Sequence, residues 1–374
     1  MADKNLSDCS INYDVLEEFS GKNLTEREKE EWPCELLLFW VDIIPFVKLV
    51  RFLLSYGTTF IVIFGVVGNI LSFVVFIQRQ MRKDAQNVYL AVLAVYDTCT
   101  LLFNFTIGVM RAGSEEVNKV FQDSEELCTV HGVVVELFNI LSVWILVAFT
   151  VERFILFKFP LKYRPSLRNA YITTLIVTLI GATVSLHKIA VSGFEGDSVF
   201  GYKACKTRRK IFKEIVYLYV AVNTWLPTAL ITCVNLVIIR ELRLNRRRRD
   251  ILTQSIMSAA DDKTTKLLLL VSTRYVLLVL PLGIVQTTEL IWNGSMATAT
   301  GSTAYVHFMT TKMKLKWTRA FFFFFYQLNF AINFILYMTS SSAKKFQFYL
   351  RHVLGLKQVL VEPNTSFTVP SGFN

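Results

Sequence analysis

The sequence predicts an all-α membrane protein: a bundle of seven transmembrane helices followed by a short amphipathic helix. Three observations predict this class. Of the 374 residues, 53% are hydrophobic and 18% charged, and the mean hydropathy is +0.43, a balance too apolar for an ordinary soluble domain. Seven apolar segments, roughly 51–77, 87–110, 127–157, 170–192, 214–239, 264–291 and 318–339, each approach the ~20 residues that cross a bilayer. Lipid offers no hydrogen-bonding partners, so segments of this length must be helices with little irregular backbone between them.

Residues 1–50 precede the first span as a tail, 51–340 make the bundle, and 341–374 hold the amphipathic helix and a terminal tail. Met1 to Ser10 lack a basic start followed by an apolar core, so the first span is expected to direct insertion. The apolar run from Leu36 to Val47 is broken by Asp42 and Pro45, which predicts a juxtamembrane segment rather than an eighth span. Basic residues follow the first span (Arg79, Arg82, Lys83), the third (Lys158, Lys162, Arg164, Arg168) and the fifth (Arg246 to Arg249), as cytoplasmic loops require. Lys203, Lys206, Lys312 and Lys314 would then lie outside, so the tail is the better witness. It is acidic through Glu26, Glu28, Glu30 and Glu31 and carries glycosylation sequons at Asn5 and Asn23. This reading puts the N-terminus outside the cell and the chain in the plasma membrane.

Six cysteines divide by position. Cys99 and Cys233 fall within spans and suit apolar packing. Cys128, at the outer mouth of the third span, and Cys205, in the loop before the fifth, could meet in an oxidising exterior. Cys9 and Cys34 could close a second bridge, although spacing does not fix connectivity.

The third span ends in Glu152-Arg153-Phe154, with Pro160-Leu161 following. About 25 residues at roughly 1.5 Å each separate Cys128 from Arg153, so the cysteine and the arginine stand at opposite faces of a bilayer. An arginine at that depth is costly unless paired or exposed to cytoplasm, which makes a functional role the default.

Other polar residues are embedded in the spans: Asn69 in the first, Asp97 in the second, Ser142 in the third, Asn329 and Asn333 in the seventh. A lone carboxylate at mid-membrane costs roughly 2.5–3.5 kcal/mol. Five such groups are more economically one shared cluster than five defects. A carboxylate, a hydroxyl and amide oxygens are hard ligands, so an allosteric sodium ion at Asp97 and Ser142, or a proton with water, would suit them. Interhelical hydrogen bonding with no ion is the alternative. Arg274, inside the sixth span, could pair with this cluster or snorkel.

These residues carry a resemblance. Gly68-Asn69, Leu93 to Asp97, Glu152-Arg153-Phe154 with Pro160-Leu161, Pro227, Pro281 and Asn333-Phe334-Ile335-Leu336-Tyr337 are similar, in order and spacing, to the motifs of rhodopsin-class (class A) G-protein-coupled receptors over roughly residues 51–352. The glutamate at 152, Asn-Phe-x-x-Tyr in place of NPxxY, and the lack of a tryptophan before Pro281 resemble invertebrate FMRFamide-like and thyrotropin-releasing-hormone-like peptide receptors. The pattern departs at Val279, where the family's sixth-span tryptophan stands, at Asn235 in place of the fifth-span tyrosine, and in lacking the fourth-span tryptophan. The resemblance implies that Arg153 holds a resting state through Glu152 and Asp261, then meets a heterotrimeric G-protein while Tyr337 moves inward. Asp261-Asp262 solvating a helix start is the plain alternative.

Against that template, an amine receptor would carry an aspartate where Val135-Glu136 stands, and an opsin a lysine where Gln327 stands. A peptide fits better, with Glu136 and Glu289 offering carboxylates to a basic group and Tyr217, Tyr219, Gln286, Tyr326 and Gln327 supplying walls and amides. Peptides ending in amidated arginine-phenylalanine suit that mix. Glu136 could instead form a bridge to His131 or Arg111. The expected partners are an extracellular peptide, a heterotrimeric G-protein and membrane lipids, not nucleic acid. With four histidines and no nucleophile-base pair or phosphate loop, the chain is not expected to be an enzyme or to need a cofactor beyond the sodium. A chemosensory receptor of the same fold, or a transporter or channel, are the rival functions; no inverted repeat supports the latter.

Overall fold

The computed structural model describes residues 16–17, 32–159, 165–196, 203–207, 213–252, 259–294, 302–340 and 343–356. Asn5, Asn23 and Cys9, Pro160-Leu161, and the side chains of Cys205, Asp261 and Arg246 to Arg249, lie outside the described residues. Six helices are long and apolar enough to cross a membrane, and a seventh crossing is made by the pair Thr303–Ala331 and Asn333–Thr339.

The first span is longer than expected. One helix runs from Cys34 to Phe76, 43 residues, or about 64 Å at ~1.5 Å per residue, twice the hydrocarbon thickness. The stretch Leu36 to Val47 is therefore an N-terminal continuation of this span, and residue 50 falls inside the helix. Its cause is a helical stripe: Leu36, Leu37, Trp40, Ile44 and Val47 are buried against Met313, with Trp317 packed beside them. The seventh span is extended to match. It begins at Thr303 rather than near 318, with Ser302 Oγ accepting from Tyr305 N at 3.1 Å as its cap. The two helices leave the bundle together.

The second span is Ala85–Arg111, the third Glu125–Leu156 within a helix reaching Lys158, the fourth Leu167–Ala190, the fifth Ile215–Leu244 and the sixth Thr265–Asn293. Ser124 caps the third, accepting from Leu127 N at 3.2 Å, with Glu125 and Glu126 in the first turn where the helix dipole favours them. A π-helical turn over Ala221–Trp225 precedes Pro227, whose missing N–H disturbs the regular ladder. The fourth span exposes Leu175, Ile176, Leu179 and Ile180 by half or more, a face that only lipid or another apolar surface would cover.

Between the fourth and fifth spans lies a feature absent from the all-helical reading. Strands β1 (Ser192–Gly196) and β2 (Lys203–Thr207) form an antiparallel hairpin, with Phe194 opposite Cys205 and both strands against the third span. At the other end, Ala343–Val353 is helical and buries Ala343, Phe346 and Leu350, one face of the expected amphipathic helix, with Phe348 exposed.

Glycines allow the closest approach of helices. A Cβ on Gly65 would come within 2.7 Å of Ala331 Cβ and 2.9 Å of Ala331 Cα, and one on Gly68 within 2.8 Å of Phe334 Cβ. These two residues seat the first span on the bend of the seventh, a use of small residues that membrane packing favours. Gly65→Val is expected to lower thermal stability in detergent by about 1–3 kcal/mol through overpacking. Gly108→Ala, where a Cβ meets open space, should leave the melting temperature unchanged or raise it slightly.

Candidate functional site

Asp97 stands at the centre of the bundle with 1% of its surface exposed. Its two carboxylate oxygens are each taken: Ser142 Oγ donates to Oδ1 at 2.5 Å and Asn333 Nδ2 to Oδ2 at 2.5 Å. The second, third and seventh spans are thereby tied to one group. Asn69 is buried beside them but bonds elsewhere, Nδ2 donating to Phe330 O at 2.9 Å. That carbonyl belongs to the last turn before the bend at Ile332, where helix carbonyls lack intrahelical partners. Asn329 is also buried, with its Oδ1 unpartnered among the described residues. Of the five embedded residues, Asp97, Ser142 and Asn333 are bonded to one another, whereas Asn69 bonds the Phe330 carbonyl.

Arg274 does not snorkel. It is buried, interacts electrostatically with Asp97 and Tyr337, and its Nε and Nη1 have no hydrogen-bond partner among the described residues. Ser142 and Asn333 already occupy the two oxygens of Asp97, so a cation at that carboxylate would have to displace or turn them.

At the end bearing Arg153, Glu152 and Arg153 are both buried, and the guanidinium lies 5.4 Å from the centre of the Phe149 ring. Phe154 is half-buried against the core. Tyr337 packs its ring on Phe76 at 5.1 Å and Phe346 at 5.7 Å. Around this end, Lys158 pairs with Glu241 at 3.5 Å and Lys345 with Asp84 at 2.9 Å. Asn235, standing for an aromatic, donates from Nδ2 to Ser272 Oγ at 2.8 Å and joins the fifth span to the sixth.

Toward the Cys128 end a cavity of about 160 Å³ opens between the third, fifth, sixth and seventh spans. Of the expected ligand residues, Tyr219, Gln286 and Tyr326 line it; Glu136, Glu289 and Gln327 are buried and do not. Both acids are already paired. Glu136 lies 3.8 Å from Lys188 and accepts from Asn223 Nδ2 at 3.0 Å, rather than meeting His131, which bonds Phe103 O, or Arg111, which lies over Phe121. Glu289 forms an ion pair with Arg319. The sequence reading missed Arg319, Asn139 and Asn223, which line the cavity. Arg319 had a signal, a charge two residues ahead of the run Phe321 to Phe325; the two asparagines belonged to no motif and stood out by nothing but their polarity. Of that run, Phe321 packs at a tilt on Phe46 and edge-on against Phe325, while Phe323 meets Phe105 and the cavity, so several faces are covered.

The order and number of the spans suit a seven-helix membrane protein, and the comparisons identify which kind. The family model described as 7 transmembrane receptor (rhodopsin family) matches residues 68–337, most of the chain. The chain belongs to the rhodopsin family of seven-transmembrane receptors. A relative named "Rhodopsin, GQ-coupled", from Mizuhopecten yessoensis, is 20% identical over 245 residues, covering 63% of this chain and 48% of that protein. The chain spans about half the length of that relative. As a member of this family the receptor is a multi-pass membrane protein and not an enzyme.

In the receptor, Lys188 and Glu136 should behave as a unit. Lys188→Met alone leaves a buried carboxylate uncompensated and is expected to cost about 3–5 kcal/mol of stability. The double variant Lys188→Met/Glu136→Gln should recover most of that loss in a thermal unfolding assay.

Proposed function

We propose that this receptor binds an extracellular peptide with one end in the cavity between the third, fifth, sixth and seventh spans, and passes that signal to a heterotrimeric G-protein at the end bearing Arg153. The N-terminus then lies outside the cell at the plasma membrane, and Asn5 and Asn23 are available for glycosylation. The observation that carries the reading is the size of the cavity. Drug-sized ligands fill roughly 300–1,000 Å³, whereas about 160 Å³ takes one or two side chains. A ligand that inserts an end and leaves the rest on the outer surface suits that volume.

Two buried acceptors indicate the inserted chemistry. Asn139 and Asn223 line the cavity, and the Oδ1 of each, buried just behind its surface, has no donor among the described residues. The orientation of Asn223 is fixed by its neighbour, because the Glu136 carboxylate requires the amide nitrogen. A terminal carboxamide supplies the missing N–H groups without disturbing the Lys188 and Arg319 pairs, and a carboxylate supplies none. Glu136 and Glu289 act on the ligand only by releasing those partners, so their part is secondary to that of the asparagines.

Cys128 is disulfide-bonded. The hairpin strand carrying Cys205 lies against its helix, which supports a Cys128–Cys205 bridge holding the hairpin over the cavity. At the opposite end, Arg153 and Glu152 with Asp261, Asn333 and Tyr337 form the switch. The relative is named for coupling to Gq, so a Gq-type G-protein is the first to test.

Screening neuropeptides as amidated and free-acid pairs in cells carrying a promiscuous G-protein reporter tests the ligand. Amidated forms should be at least about tenfold more potent, the value of one lost hydrogen bond to a buried group, and equal potency removes the carboxamide reading. Arg153→Ala receptors that reach the surface should lose nucleotide exchange. Exchange left intact, or an N-terminal epitope accessible only from the cytosol, would end the proposal.

A further inference from the structure

The seventh helix reaches the cavity along one stripe. Arg319, Phe323 and Tyr326 line it, at the spacing of four and three residues that keeps side chains on a single helical face. The same spacing carried toward the start of the helix meets Lys316 and then Lys312, both exposed. Lys312 Nζ stands 6.0 Å from the Phe308 ring and Lys316 Nζ 5.8 Å from the Trp317 ring, so each stem lies along an aromatic neighbour. Arg319 joins the two stretches. It pairs with Glu289 of the sixth helix, yet 35% of its side chain remains exposed.

The rest of this helix end is used otherwise. Met313, on the neighbouring face, seats the first helix, and Lys314, half a turn from both other lysines, lies over Phe39 of that helix at 5.1 Å. Trp292 of the sixth helix bounds the stripe at its far end, stacking on Phe308 at 6.1 Å and donating Nε1 to Phe308 O at 3.2 Å. Lys312, Lys316 and Arg319 therefore continue the cavity wall rather than the contact with the first helix.

We infer, on the peptide reading above, that this cationic stripe seats the part of the ligand left outside the cavity, and that this part is acidic. Arg319 to Tyr326 is about 10 Å of wall at ~1.5 Å per residue, and Arg319 back to Lys312 is as much again. An extended chain advances roughly 3.3 Å per residue, so about three ligand residues lie along the wall and about the next three along the stripe. Aspartate or glutamate at the fourth to sixth positions from the inserted end then meets Lys316 and Lys312. Complementary charge of this kind fixes register and speeds encounter more than it adds affinity. The rival occupant is the chain's own acidic tail, Glu26 to Glu31. That segment carries Arg27 and Lys29 among its acids, and the continuity of the stripe with the cavity favours the ligand.

The test uses the purified full chain and two pools of amidated synthetic nonapeptides. Both pools are randomised at the last three positions; positions four to six from the amide are glutamate in one and lysine in the other. Retention on the immobilised receptor should favour the glutamate pool by about tenfold in low salt, the combined effect of two or three exposed pairs. The preference should fade in about 1 M salt, where such charges are screened. Lys312→Glu/Lys316→Glu should reverse it at an unchanged melting temperature. Should that variant fail to fold, Lys312→Gln/Lys316→Gln decides in its place by abolishing the preference. Equal retention of the two pools, or a preference that the lysine variants keep, overturns the inference and leaves the peptide reading standing. Retention of neither pool overturns both. A glutamate preference that emerges only after Glu26, Glu28, Glu30 and Glu31 are replaced by glutamine assigns the stripe to the chain's own tail and overturns the inference as well.

Discussion

Inside a bilayer a polar group has no water to turn to, and every arrangement around Asp97 answers that constraint. The carboxylate would be prohibitive alone; with Ser142 and Asn333 bonded to it, it becomes the knot through which the second, third and seventh spans are held in register. Packing then follows from those positions. Gly65 and Gly68 let the first span reach the seventh at backbone distance, and Asn69 is placed to serve the Phe330 carbonyl. Hydrogen bonds of this kind are individually modest in membranes, about 0.6 kcal/mol on average. Their value here lies in specifying one arrangement of helices whose lipid-facing surfaces would pack equally well in many.

The same principle orders the two ends. Toward the cavity, acids that would otherwise face a dry interior are each met by a cation from another helix, Glu136 by the fourth span's Lys188 and Glu289 by the seventh span's Arg319. Toward Arg153, ion pairs are more exposed and correspondingly weaker: Lys158 with Glu241 and Lys345 with Asp84 leave a third to a half of their side chains in contact with solvent. Under the proposed function, the end that would receive a protein partner has contacts that exchange cheaply, and the end that would hold a ligand has walls that do not.

The spans were legible because twenty apolar residues have few alternatives in lipid, and the embedded polar residues were legible because each is an expense that needs a reason. The extension of the first and seventh helices was not. Asp42 and Pro45 look like interruptions when read along the chain, yet they fall on the exposed face of a helix whose other face, Leu36 through Val47, packs on Met313. That partner stands more than 260 residues away, and no local pattern announces it. The pairing of Glu136 was hidden for the same reason: His131 is near it in sequence, whereas Lys188 reaches it only once the fourth span is in place. Asn139 and Asn223 are ordinary residues in sequence and become informative through what they lack after folding.

The seventh helix turns by 53° at Ile332 with phenylalanine, not proline, after Asn333. A pyrrolidine ring would impose such an angle covalently, since it deletes a donor and clashes with the preceding turn. Here every backbone donor is retained, and the angle is maintained from outside by Asn69, by the glycine face of the first span and by the Asp97 knot. The bend is thus a property of the assembled bundle, written in the residues of three other spans rather than in the covalent geometry of its own.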